Sequence, residues 1–339
     1  MMEILAQGQG ELIGWHDPDE NRRWVLENKS RELRDKRKSV TQAVREYIHD
    51  GDYLALGGFG HVRVSMAVVY EIIRQRRQHL VLAGKTAVHD ADILIGSGCV
   101  DRIEVAYAFA QELRGLSPAG RRAVESGACR VVGETSNAGY QWRFLAGMLG
   151  VPFIPSRNLL GSDTLARSSC KVARDPWSEK PVCLIPAAYP DVAVFHVPRC
   201  DIYGNAQIDG TLIMDWELAR AARRVIVTTE EIIAPEVIQE RPWHTAIPFY
   251  VVDAVCEVPF GAHPTNMPYL YYFDEEHIGE WLEMSKTPEG TRDYFDKYVY
   301  GVPDYGAYLE LVGGETKRAY LADVEHLRQP LRAPWLQKK

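Results

Sequence analysis

The chain has 339 residues, 46% of them hydrophobic and 10% aromatic, enough to bury the core of one large α/β domain or two smaller ones. Its formal net charge of -7 argues against a nucleic acid or an anionic membrane as main partner, since neither attracts an acidic protein at long range. Cys99, Cys129, Cys170, Cys183, Cys200 and Cys256 stand singly, without a CxxC pair or zinc spacing. No run of about eighteen apolar residues occurs, and Met1-Met2-Glu3-Ile4 leads into polar residues rather than a signal-peptide core. The expectation is a cytoplasmic protein with reduced thiols and no metal.

Residues 1–38 mix both signs of charge, as in Glu20-Asn21-Arg22-Arg23-Trp24 and the basic run from Lys29 to Lys38, which predicts a solvated extension with a short helix. From residue 39 the punctuation becomes regular. Ser39 caps a helix through Val44 and Ile48, Asp50-Gly51-Asp52 stops it, and residues 53–56 read as a buried strand. Helices are predicted over 67–74, 92–95, 118–126 and 136–149, alternating with strands over 80–83, 103–108 and 129–132; Gly150-Val151-Pro152 ends the series. Single helices between strands imply parallel pairing, hence a parallel-rich open α/β sheet sandwiched by helices.

Residues 156–190 break the rhythm with Gly161-Ser162-Asp163, Asp175-Pro176-Trp177 and Tyr189-Pro190, and are predicted to be a loop-rich insertion or lid. Strands return at 192–197, 204–208 and 225–229, with a helix over 214–222. Beyond Gly261 the pattern is mostly amphipathic helix, ending in a tail broken at Pro330 and Pro334. The domain reading is an extension over 1–38, an α/β domain over 39–312, and a C-terminal helix and tail over 313–339.

Three places offer chemistry. Gly57-Gly58-Phe59-Gly60 follows a strand, where glycines either make a tight turn or let backbone N–H groups face developing negative charge; nearby Arg63 is a guanidinium able to grip a carboxylate. Glu104, Gln111-Glu112 and Glu134-Thr135-Ser136-Asn137 lie in or just beyond predicted strands, where α/β sheets bind ligands and a carboxylate can act as base or nucleophile; helix capping competes for Thr135, Ser136 and Asn137. His196 and His263 sit in apolar surroundings and read as hydrogen-bonded core residues. GxSxG, HExxH and P-loop patterns are absent from the sequence.

Residues 40–312 resemble family I CoA-transferases, in particular the A subunits of glutaconate CoA-transferases. The resemblance runs in order through Gly57-Gly58-Phe59, Arg63, Leu94-Ile95-Gly96-Ser97-Gly98, Gly150-Val151-Pro152-Phe153-Ile154-Pro155, Gly161-Ser162, Asp201 with Gly204-Asn205-Ala206, Val227-Thr228-Thr229-Glu230-Glu231-Ile232, and Gly261-Ala262-His263-Pro264. It implies a heterotetramer of two A and two homologous B subunits that moves CoA between a thioester and a carboxylic acid, with Arg63 suggesting a dicarboxylate. Coenzyme A is then a substrate, no cofactor is needed, and the nucleophilic glutamate belongs to the B subunit.

For this chain the resemblance implies Gly57, Gly58 and Phe59 as a pocket wall, Arg63 for a substrate carboxylate, and the loop at Gln111 and Glu112 facing the partner. The family's proline is Ser65 here, and a serine and glycine are replaced by Gln111 and Glu112. Relatives of the same architecture include ring-opening hydrolases and decarboxylases of CoA thioesters. An acid near the Glu134 position resembles a feature of the ring-opening group, so Glu134, with Glu104 as second candidate, is the expected base of that alternative. A scaffold role without catalysis is the third reading. Glu125-Ser126-Gly127 has the look of a nucleophile turn but reads as a helix stop.

Overall fold

Along Tyr53–Leu56 successive side chains point to opposite faces, and both faces are buried. Leu54 and Leu56 enter one core with Leu80, Leu82 and Ile103, while Tyr53 and Ala55 enter a second with Val81, Ala83 and Phe195. The computed structural model describes residues 3–333. Its strands are β1 (Ile4–Gln7), β2 (Tyr53–Leu56), β3 (Leu80–Ala87), β4 (Val100–Ala108), β5 (Arg130–Glu134), β6 (Phe153–Ser156), β7 (Lys171–Arg174), β8 (Pro181–Pro186), β9 (Val192–Cys200), β10 (Ala206–Gln207), β11 (Arg224–Ile232), β12 (Thr245–Ile247) and β13 (Ala254–Glu257).

The main sheet is parallel through β13, β11, β9, β2, β3, β4 and β5. One edge of β9 pairs with β2 at Val192–Val194 and with antiparallel β10 at Arg199 and Cys200; β12 extends that short flap. On the first face pack the helices Val40–Tyr47, Met66–Arg74 and His89–Gly96, together with Trp281, Tyr294 and Tyr308 from the C-terminal helices. On the second lie Asn137–Leu149, through Tyr140 and Phe144, and Asp215–Ala221, through Leu218 and Ala219. Each fully buried leucine or phenylalanine contributes about 1.5–3 kcal/mol.

Local signals act as expected at several ends. Ser39 and Gln42 form a reciprocal capping box, and Gly127 and Gly150 close their helices at φ +78° and +67°. The C-terminal part is helical over Glu275–Met284, Pro288–Phe295, Tyr305–Leu311 and Gly314–Glu325. Pro334 and the end of the tail lie outside the described residues.

Two expectations are corrected. Residues 156–190 are not merely loop: β7 and β8 pair with each other and with β1 and β6 in a four-stranded antiparallel sheet, whose strands are short enough for Gly and Pro to mask them. The described part of residues 1–38 is largely exposed and carries the expected short helix, Pro18–Asn28, but it is tied to the domain rather than free. β1 pairs with β7, Lys29 is buried on Asp253 at 3.0 Å, and Lys36 donates to the Phe249 carbonyl at 2.5 Å. Those acceptors lie more than two hundred residues away, beyond any local pattern.

Candidate active site at the carboxyl edge of the sheet

β2 ends against Phe195: a Cβ on Gly57 would sit 2.3 Å from the Phe195 ring, so only glycine lets the strand lie there. Gly58 has φ +82°, and a Cβ would meet the Val62 carbonyl at 2.2 Å. The turn is internally bonded. Gly57 donates to Val194 O (2.7 Å), Phe59 to Val62 O (3.0 Å), Gly60 to Thr86 O (2.8 Å), and Gly58 to the Asp215 carboxylate (3.4 Å). Those four amides are therefore not open to a ligand's developing charge, and the tight-turn reading holds for them.

Arg63 is corrected as a substrate arm. Its side chain is 1% exposed, and its guanidinium grips Asp215 bidentately at 3.0 and 2.8 Å and reaches the Thr211 carbonyl at 3.2 Å. Burial works to raise the Asp215 carboxyl, but the Arg63 charge and hydrogen bonds win and hold it below its ordinary value. The pair pins the helix Asp215–Ala221 to the glycine turn.

Glu104 is corrected as a base. It is fully buried, accepts from the Arg143 guanidinium and lies 3.3 Å from the Tyr53 hydroxyl, which itself meets Tyr140 at 2.8 Å. Arg143 also donates to the Ile13 carbonyl at 2.6 Å. Gln111 is buried rather than partner-facing: its Oε1 meets His61 Nε2 at 2.9 Å and its Nε2 donates to Ser117 Oγ at 3.0 Å. Burial, then the Arg114 charge, pushes His61 down to about 3, so the neutral ring serves this bond. Glu112 is exposed at φ +56°, beside Leu113 and Leu116, which are 88% and 59% exposed. This loop is therefore braced from within and presents Leu113 and Leu116 beside Glu112 on its outer side.

Glu134 ends β5, half-buried, and accepts from exposed Arg167 at 2.9 Å. It borders a cavity of about 370 Å³ that also contacts Gln9, Gly10, Val132 and Arg167. β5 stands three strands from β2, roughly 14 Å at ordinary strand spacing, so Glu134 and the glycine turn are not one constellation. Ser136 is the helix cap, accepting from Gly139 N at 2.9 Å, whereas Asn137 accepts from Thr86 Oγ1 at 3.0 Å. His196 bonds Thr228 and Glu230, and His263 bonds Tyr308 and Asp274, as core histidines do. Among the described residues no group of three or more His, Cys, Asp and Glu side chains is placed to hold a metal ion, and no helix is long and apolar enough to cross a membrane.

The residue that sequence reading missed is Lys85. It lies near the end of β3, immediately beside the glycine turn, 5% exposed, with Nζ 5.5 Å from the Phe59 ring centroid. Burial pushes its pKa down, while Glu217 and Asp215 pull it back up. Asp215 is bound by Arg63, and Glu217 accepts from Gln141 at 3.0 Å. Its signal was a lysine inside an otherwise apolar, fully buried strand, Leu80–Ala87.

The model of the coenzyme A transferase family matches residues 37–258. An uncharacterized protein of Archaeoglobus fulgidus is 58% identical over 334 residues, covering 98% of this chain and 75% of that protein. The glutaconate CoA-transferase A subunit of Acidaminococcus fermentans is 31% identical over 293 residues (81% of this chain, 91% of the relative). The 3-oxoadipate CoA-transferase A subunit of Pseudomonas knackmussii is also 31% identical, over 274 residues (80% and 95%). The crystal structure of the Acidaminococcus fermentans glutaconate enzyme superposes with a TM-score of 0.79 at 31% identity, covering 84% of this chain and 95% of that one. That of the decarboxylase AibA/AibB gives 0.68 at 30% identity, covering 77% and 98%.

Proposed function

Because the chain belongs to the coenzyme A transferase family, we propose that it is the A subunit of a two-subunit enzyme moving CoA between a thioester and a carboxylic acid. One observation carries the division of labour. The buried acids Glu104 and Asp215 are both held in ion pairs, with Arg143 and Arg63. Neither is available to attack a thioester, which supports a nucleophilic glutamate on the B subunit. That carboxylate attacks the acyl-CoA carbonyl and expels CoA thiolate, leaving an acyl-glutamyl anhydride. The thiolate then attacks the glutamyl carbonyl, releasing the acyl group as a carboxylate and leaving a glutamyl-CoA thioester; the acceptor acid reverses both steps.

This chain contributes a wall of the site, set by the Gly57–Gly60 turn and Phe59, and a partner-facing loop bearing exposed Leu113 and Leu116. The assembly is an A2B2 heterotetramer. The test is to co-purify the chain with its B subunit, then supply acetyl-CoA with a panel of carboxylic acids. New acyl-CoA in the mass spectrum supports transfer. Thioester ring opening or CO2 release without transfer, lost in Glu134→Gln, contradicts it and favours the hydrolase or decarboxylase reading.

A further inference from the structure

An antiparallel sheet packed on one face ordinarily turns polar residues outward on the other. The β1–β7–β8–β6 sheet does not. Its inner face, through Cys183 and Ile185, packs with Trp142 of the helix Asn137–Leu149, whose Tyr140 and Phe144 enter the main-sheet core. That helix therefore stands between the small sheet's outer face and the main sheet. The pairs Phe153↔Pro186 and Lys171↔Leu184 set Phe153, Leu184 and Pro186 on the outer face. With Leu12 and Trp15 of the N-terminal extension they line a cavity of about 490 Å³. Small-molecule sites are mostly apolar clefts of about 300–1,000 Å³ with a few placed polar groups. The wall given by the extension is anchored: Gly10 N donates to Ser168 O at 2.9 Å, Tyr189 N to Gly14 O at 2.7 Å, and Trp15 Nε1 to Pro152 O at 3.3 Å. Yet Leu12 is 50% and Trp15 36% exposed, apolar surface that a ligand would cover.

Lys171 is the one charged residue lining the cavity and Ser169 the one hydroxyl. Among the described residues neither side chain has a hydrogen bond or ion pair. We propose that the cavity binds a single-chain aliphatic carboxylate, its chain against Leu12, Trp15 and Phe153 and its carboxylate on Lys171 and Ser169. One cation in an apolar slot matches one anionic head on an apolar tail. A protein partner would need roughly 800 Å² on each side, and a polyanion would meet a single charge. The family match begins at residue 37, so Leu12 and Trp15 stand outside it, and the inference does not depend on the CoA-transfer reading.

The experiment titrates the wild-type heteromeric enzyme in a calorimeter with hexanoate, octanoate and decanoate, and with decanol and decyltrimethylammonium, all kept below micelle-forming concentrations. Each methylene taken into the cavity should tighten binding about fourfold. Decanoate should bind more tightly than the cationic amphiphile of the same chain length. Lys171→Met should weaken decanoate about fivefold, as expected for an exposed ion pair, and leave decanol within about twofold. Leu12→Asp puts a charge into the slot and should weaken both decanoate and decanol at least about tenfold, with Tm and CoA turnover unchanged because Leu12 is half exposed. No binding by any chain, or affinity indifferent to chain length, overturns the proposal. Decanoate binding that survives Leu12→Asp would place the acid elsewhere, including the CoA-transfer site, and also overturns it. So does binding to phosphatidylcholine vesicles without binding of decanoate, which would make the face a membrane contact. If decanoate binds as expected and the enzyme transfers no CoA, the transfer reading alone fails.

Discussion

Changing Glu104 to Gln keeps the side-chain shape and removes its charge, leaving the Arg143 guanidinium 1% exposed and facing a neutral amide. Arg143 retains the Pro186, Ile13 and Ala187 carbonyls, so the geometry survives while the ionic partner does not. Breaking a buried pair from one side costs about 3–5 kcal/mol. Unfolding entropy of about 2.1 cal/mol/K per residue sums to about 0.7 kcal/mol/K for a chain of this length, so Tm should fall by about 4–7 °C. Thermal melts followed by circular dichroism measure this. Turnover of the folded enzyme at 20 °C should stay within about threefold, since the shape of the site is unchanged, whereas loss of a general base costs about 10²–10⁴-fold. The double variant Glu104→Leu/Arg143→Met should recover most of the lost stability, because apolar replacements often match a buried pair. An unchanged Tm with a thousandfold fall in kcat would refute the structural role and make Glu104 the base.

Burial of neutral histidines should make acid destabilise the protein. Asp90 and Asp92 oppose this in part, since burial raises their carboxyls to about 6 and they therefore take up protons more readily folded than unfolded. His61 and His277 are both pushed down from 6.5 to about 3 by burial, so the unfolded chain binds their protons first. Stability is full above about pH 6.5 and falls toward pH 3 by about 1.4 kcal/mol per pH unit for each histidine. His61→Gln should flatten the slope of stability against pH, and an unchanged slope would contradict the assignment. Gly57→Ala forces a methyl onto Phe195 and should lower both Tm and activity, whereas Gly51→Ala, where no atom lies within 4 Å, mainly meets a backbone penalty at φ +86° and should leave kcat unchanged. Leu113→Asp with Leu116→Asp should weaken binding to the B subunit by tenfold or more, read by native mass spectrometry, while the melt of each isolated chain stays constant.

Local chemistry made much of the fold readable. The segments 53–56 and 118–126 match observed elements, because a four-residue apolar run between Asp52 and Gly57 and a Pro118-to-Gly127 stretch carry their own boundaries. The β1–β7–β8–β6 sheet was illegible because its short strands carry little periodicity, Gly and Pro interrupt the stretch that holds three of them, and β1 pairs with β7 from the other end of the sequence's first half. Site residues failed in the same way. Arg63 and Asp215 are 152 positions apart, and Glu104 and Arg143 are separated by 39, so only the folded chain shows that these charges cancel each other. Lys85 was overlooked because a lone charge in a buried run reads as a strand end.

If the nucleophile is a glutamate of the partner and this chain supplies the accessory half of the site, covalent trapping should mark only the partner. The A and B subunits, purified together, would be incubated with acyl-CoA, treated with sodium borohydride or hydroxylamine, and digested for mass spectrometry. A modified glutamate on the B subunit, with none on this chain, is the expected result. A modified Glu104 or Glu134 here, or no adduct alongside turnover of a cyclic CoA thioester that collapses in Glu134→Gln, would contradict that division of labour.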